Sequence, residues 1–160
     1  MGVDVADEDG GEQQLPRREA VLQLLDTMVA DRSRPSSAGA VVVVAIDDHA
    51  RLVAEDAAGA EQVLCEVARR LDRLVRSNDV LGRLDEDRFV IVASGLAPEV
   101  TGSLLDRIAG SVAMPLDFDD SSVSLGATVG VAFLDGADAD GSTLLAAAER
   151  DVERIRARRA

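Results

Sequence analysis

Two sorts of side chain in this sequence could do chemistry: arginines, which grip phosphate, and carboxylates, which hold cations. They crowd together over residues 76–89, R-S-N-D-V-L-G-R-L-D-E-D-R-F. Residues 80–84 and 88–93 are short runs rich in β-branched and aliphatic side chains. The polar triplet Asp85, Glu86, Asp87 between them reads as the turn of a β-hairpin. Three carboxylates on a hairpin tip face something, or decorate a solvated turn, since turns favour Asp. Asp47 and Asp48 close another β-branched run and suit either a cation or a solvated loop. His49 stands alone, as a surface or helix-entry residue. The single cysteine, Cys65, lies beside an apolar stripe and reads as a packing residue; alone, it excludes internal disulfides and Cys-rich metal sites.

Composition narrows the partners. A net charge of −13 opposes general binding to nucleic acid or an anionic membrane, because both need a cationic surface. A small phosphate ligand needs only a local Arg cluster, and all 17 Lys/Arg positions are Arg. That bias suggests a high-GC, bacterial coding sequence. At 2% aromatic residues the core must be aliphatic, and base stacking on aromatic rings is nearly excluded. The solitary thiol, the lack of an apolar stretch of membrane-spanning length and the lack of a signal-peptide pattern together predict a cytoplasmic protein.

The elements that must carry these residues follow from periodicity. Residues 1–13 are acidic and Gly-rich without an apolar period and read as a disordered tail, leaving one domain over 14–160. Helical spacing appears over residues 15–31, 59–76, 98–112 and 142–158, with Ser142 as the cap of the last. Residues 34–39 form a Pro/Ser/Gly loop and 117–122 an acidic turn. The unbroken run A-V-V-V-V-A-I over 40–46 predicts a strand buried on both faces, and 125–134 a second of that type. The order α-β-α-β-β-α-β-α predicts an α/β (α+β) sandwich, with a mixed central sheet of about five strands flanked by helices.

At this point the motif spacing resembles the GGDEF, or diguanylate cyclase, family. Arg76 and Asp79 match its R-x-x-D; five residues follow; Asp85, Glu86, Asp87, Arg88 and Phe89 then stand in place of G-G-[D/E]-E-F. Leu15, Pro16 and Arg18 also fit the end of the family's L-T-G-L-P-N-R motif, whereas Arg17 replaces its Asn. The likeness covers roughly residues 13–158 and implies the nucleotidyl-cyclase-like fold. Joining two GTP molecules would need divalent metal, yet the position of the first metal Asp is Ala45 and the signature Glu is Arg88. Only Asp87 keeps a metal carboxylate. The signature glycines have become Asp85 and Glu86, and the guanine-contacting positions fall on Val53 and Gln62. The resemblance therefore implies a degenerate member that is not an enzyme, with no catalytic residues, no metal and no cofactor.

The other half of the family's chemistry is product binding. The resembling site uses the R-x-x-D and a second Arg on the following helix, and here Arg76, Asp79 and Arg107 all match. The expected function is a catalytically inactive receptor for cyclic di-GMP that signals to an unidentified protein partner or a second copy of the chain. Three alternatives stay open: a nucleotide-independent interaction or dimerisation module, a residual enzyme or GTP sensor, and a plain surface Arg–Asp pair. Convergence of the three residues depends on the angle of the helix bearing Arg107.

Overall fold

A computed structural model describes residues 15–31, 39–118, 121–134 and 140–159. The expected tail and the 34–38 part of the Pro/Ser/Gly loop lie outside them.

Strand β1 (Gly39–Ile46) is the centre of the molecule, and all eight of its residues are buried. Its side chains alternate between two cores. Val42, Val44 and Ile46 pack with Phe89, Leu64 and Ile108 on one face. Val41, Val43 and Ala45 pack with Leu25, Leu145 and Val152 on the other. That double burial is why the strand reads as an unbroken apolar run rather than an alternating one. Helices α1 (Arg18–Ala30) and α5 (Gly141–Arg159) cover the second face, and α3 (Ala57–Leu74) and α4 (Pro98–Ala113) the first. The expected α/β sandwich is what the chain forms.

Among the described residues the sheet has four strands in the order β2-β3-β1-β6, with β2 Val80–Asp85, β3 Arg88–Ser94 and β6 Ala127–Phe133. Every hydrogen-bonded neighbour is antiparallel, which corrects the expected mixed sheet of about five strands. The helical crossovers do place β1 and β2 in the same direction, but β3 inserts between them, the arrangement of a split β-α-β unit. The described residues of the acidic turn expected over 117–122 instead belong to the strands of a separate hairpin, β4 (Leu116–Phe118) with β5 (Ser121–Val123). Three-residue strands are too short to show alternation.

Helix α2 (His49–Glu55) was not legible as a helix because none of its residues is buried, so it carries no apolar stripe. His49 opens it, in the helix-entry role expected. Helix α3 starts at Ala57, where Asp56 caps it by accepting the Gly59 N–H at 3.1 Å. The cap of α5 is Asp140, which accepts the Thr143 N–H at 2.9 Å, rather than Ser142. Helix α5 lies tight on β6. A methyl group at Gly130 would sit 2.6 Å from the Ala148 carbonyl oxygen, so only glycine admits this contact.

Candidate ligand-binding groove

Helix α3 ends at Leu74 and the chain turns through residues 76–79 into β2, the Arg76 carbonyl accepting the Asp79 N–H at 3.0 Å. One oxygen of Asp79 accepts the Ser94 N–H at 3.1 Å and so ties the start of β2 to the end of β3. Across from this turn runs α4, and the three expected residues meet: Arg76, Asp79 and Arg107 all line one cavity of about 290 Å³. Its apolar floor includes Ile91, Ala93 and Leu104. The helix angle therefore brings the trio together.

Among the described residues, the side chains of Arg76 and Arg107 are exposed and take no hydrogen bond or ion pair. Two uncompensated guanidiniums on one concavity raise the local anion affinity of a protein whose net charge is strongly negative. Asp79 has one oxygen committed to the backbone and a second available. Sequence reasoning overlooked Glu99 and Ser103, which line the same cavity from α4. The available signal was their spacing: positions 99, 103 and 107 repeat every four residues and so share a helix face.

At the opposite end of β2 and β3, the signature positions form a two-residue turn, with Asp85 paired to Arg88 and a register shift between Arg83 and Asp85. The only described non-Gly residue with positive φ is Asp48, so Asp85 and Glu86 replace the family's glycines without backbone strain. What they add is side chain and charge. Arg83 straps the turn from within, donating to the carbonyls of Asp85 at 3.2 Å and Glu86 at 2.8 Å and pairing with Glu61 at 3.1 Å. Arg88, in place of the signature Glu, bonds Glu153 and lies 3.7 Å from Glu149. Arg18 completes the network, 3.0 Å from Glu149 and 3.6 Å from Asp85. Hydrogen bonding to Glu149 holds the Arg18 guanidinium above its ordinary pKa against the opposing effect of partial burial. Phe89, at the last of the signature positions, is fully buried.

The end of β1 adjoins this hairpin, with the Ile46 N–H donating to the Asp87 carbonyl at 2.9 Å. Asp47 is not the cation ligand or solvated loop residue that the sequence left open. It accepts from Thr128 Oγ1 at 2.9 Å and Arg156 Nη2 at 3.0 Å, with Arg159 at 3.6 Å. Asp48 stays exposed on its side chain beside Arg51. A divalent metal of the kind the family resemblance implies does not fit here. Ala45 offers no side-chain oxygen and is buried, Asp47 is engaged by two arginines, and Asp87 remains alone. Among the described residues no three His, Cys, Asp or Glu side chains gather as a metal site. Of the expected guanine positions, Val53 lies on α2 and Gln62 on α3, both exposed.

Residues 13–160 match the family described as diguanylate cyclase, GGDEF domain. An uncharacterized signaling protein of Caulobacter vibrioides is 31% identical over 115 residues, which make up 69% of this chain and 14% of that protein. The chain thus spans about a seventh of that relative's length. The GGDEF domain of PA1120 (YfiN or TpbB) from Pseudomonas aeruginosa superposes with a TM-score of 0.82 at 25% identity, covering 92% of each chain. The GGDEF domain of DgcB from Caulobacter crescentus, solved in complex with c-di-GMP, gives 0.81 at 18% identity, covering 89% of this chain and 85% of that one. No helix among the described residues is long and apolar enough to cross a membrane.

Proposed function

The chain belongs to the diguanylate cyclase GGDEF domain family, and from that premise we propose that it is a catalytically inactive member that binds cyclic di-GMP. The observation that carries the reading is the groove, where Arg76 and Arg107 stand unpaired on one cavity beside Asp79. Each guanidinium matches a phosphodiester through parallel N–H donors, and Asp79 keeps an oxygen for a base N–H. A related domain, that of DgcB, has been solved with this dinucleotide. The opposite end supports inactivity: Ala45 and Arg88 stand where metal chemistry needs carboxylates, and the turn is tied into internal ion pairs. The receptor needs no resident cofactor.

Occupancy would pass to a protein partner or a second copy of the chain, in a bacterial cytoplasm. Val100 lines the groove and is 52% exposed, so it offers a partner apolar surface contiguous with the ligand. Calorimetric titration with cyclic di-GMP tests the binding. Saturable heat that Arg76→Ala abolishes is expected; absence of heat at tens of micromolar would retire the reading. Incubation with GTP and magnesium or manganese is expected to yield no cyclic dinucleotide by chromatography, and any product would overturn the inactive assignment.

A further inference from the structure

The groove presents a fourth charged group that the R-x-x-D spacing does not include. Glu99 lines it from the first turn of α4, together with Ser103 and Arg107. Eight residues of helix separate Glu99 from Arg107, a rise of about 12 Å. Arg107 therefore sits toward one end of the cavity wall and Glu99 toward the other, with Ser103 between. Among the described residues the Glu99 side chain forms no hydrogen bond or ion pair. Its carboxylate belongs to the lining of an apolar-floored groove that also holds two arginines, and it pairs with neither.

We propose that Glu99 is a specificity-determining residue of this groove, accepting the paired N–H donors of a guanine base; the inference rests on the receptor reading above. The charges fit the ligand by number and kind. A cyclic diguanylate carries two phosphates and two guanines, and the groove carries two guanidiniums, Arg76 and Arg107, with two carboxylates, Asp79 and Glu99. Asp79 has already given one oxygen to Ser94 and can serve one base only. Glu99 retains both oxygens. Guanine places N1–H and an N2–H side by side, a donor pair that a carboxylate accepts in bidentate fashion. Adenine places an acceptor at N1, which meets the same carboxylate with lone pair against charge. Glu99 thus selects by attraction for one base and repulsion of the other, the two components of specificity.

A structural role competes with this one, because an acidic side chain in a helix's first turn complements the helix dipole. Glu99→Gln separates the two. The amide keeps one acceptor and gains a donor, the pattern that suits adenine. The experiment titrates wild type, Glu99→Gln and Glu99→Ala with cyclic di-GMP and cyclic di-AMP, with thermal melts of each variant alongside. If Glu99 reads guanine, wild type prefers cyclic di-GMP. Glu99→Gln then binds it about tenfold or more weakly, with the preference narrowed toward cyclic di-AMP. Wild-type affinity and preference preserved in both variants would overturn the role of Glu99 and leave the receptor reading standing. No binding of cyclic di-GMP to wild type would overturn the receptor reading and this inference with it.

Discussion

The two ends of the β2–β3 ribbon carry similar residues and use them in opposite ways. They lie about 20 Å apart, the length of a six-residue strand. At the hairpin end Arg18, Arg83 and Arg88 are all satisfied by carboxylates or carbonyls of the same chain, and the side chains of Arg83 and Arg88 are only 15% and 16% exposed. At the groove end Arg76 and Arg107 are exposed and unpaired. A charge that the fold neutralises contributes to stability and is lost to a ligand. A charge left open contributes little to stability and remains available. The charge reversal at Arg88 is thus a changed use of the position: a cation there meets Glu149 and Glu153 on α5, which a signature Glu would repel.

The largest effect expected from this contrast is on binding. Arg107→Ala removes one of two phosphate-gripping groups that no internal partner holds. Cyclic di-GMP affinity should fall about a hundredfold, as for loss of a bidentate charge-assisted pair. The melting temperature should stay at the wild-type value. A variant that melts early would show that Arg107 supports the fold, and the contrast between the ends would fail.

Next in size is Arg88→Glu, which restores the family's charge at the hairpin and faces it with Glu149 and Glu153. Removal of the pairs plus like-charge repulsion should cost about 1–3 kcal/mol, the upper part of that range being limited by the exposure of Glu153. Chemical denaturation measures it. Cyclic di-GMP affinity should not change. The variant should still form no product from GTP, because Ala45 offers no metal carboxylate and Asp47 remains held by Arg156 and Arg159.

How much of this was legible in the sequence differs between the ends for the same physical reason. The groove trio was readable through the family resemblance, whose R-x-x-D and second Arg fall on Arg76, Asp79 and Arg107, whereas its convergence depended on a helix angle that the sequence does not carry. The hairpin was readable as a turn, but its wiring was not. Arg88 reaches partners on α5, and Asp47 meets Arg156 across 109 residues of sequence, so no local pattern announces either. Strand β1 was legible because eight buried positions leave no polar residue to interrupt the run. Helix α2 was not, because none of its residues is fully buried and only Leu52 packs against the core. Glu99 went unread because an acid after a proline at a helix start already has a local explanation in the dipole.

The smallest expected effect concerns α5, the helix that supplies Glu149 and Glu153 to the hairpin end. Asp140 caps its start, accepting from the Thr143 N–H at 2.9 Å, Thr143 Oγ1 at 2.8 Å and Ser142 Oγ at 3.1 Å. The backbone N–H bond from Thr143, then the hydroxyls of Thr143 and Ser142, hold its carboxyl below the ordinary carboxylate pKa. A carboxyl depressed by folding stabilises the native state above its unfolded pKa, and that contribution disappears as the pH falls through the folded value. Asp140→Ala should therefore melt slightly below wild type at neutral pH, and the gap should close as the pH drops through the acid end of the carboxylate range. A gap that persisted at low pH would assign the cap's contribution to something other than the ionised carboxylate. Because α5 belongs to the hairpin side, the variant should also bind cyclic di-GMP at neutral pH as tightly as wild type. A loss of affinity would mean that the internal ion pairs at one end hold the open arginines at the other in place, and the two ends would have to be treated as one coupled unit.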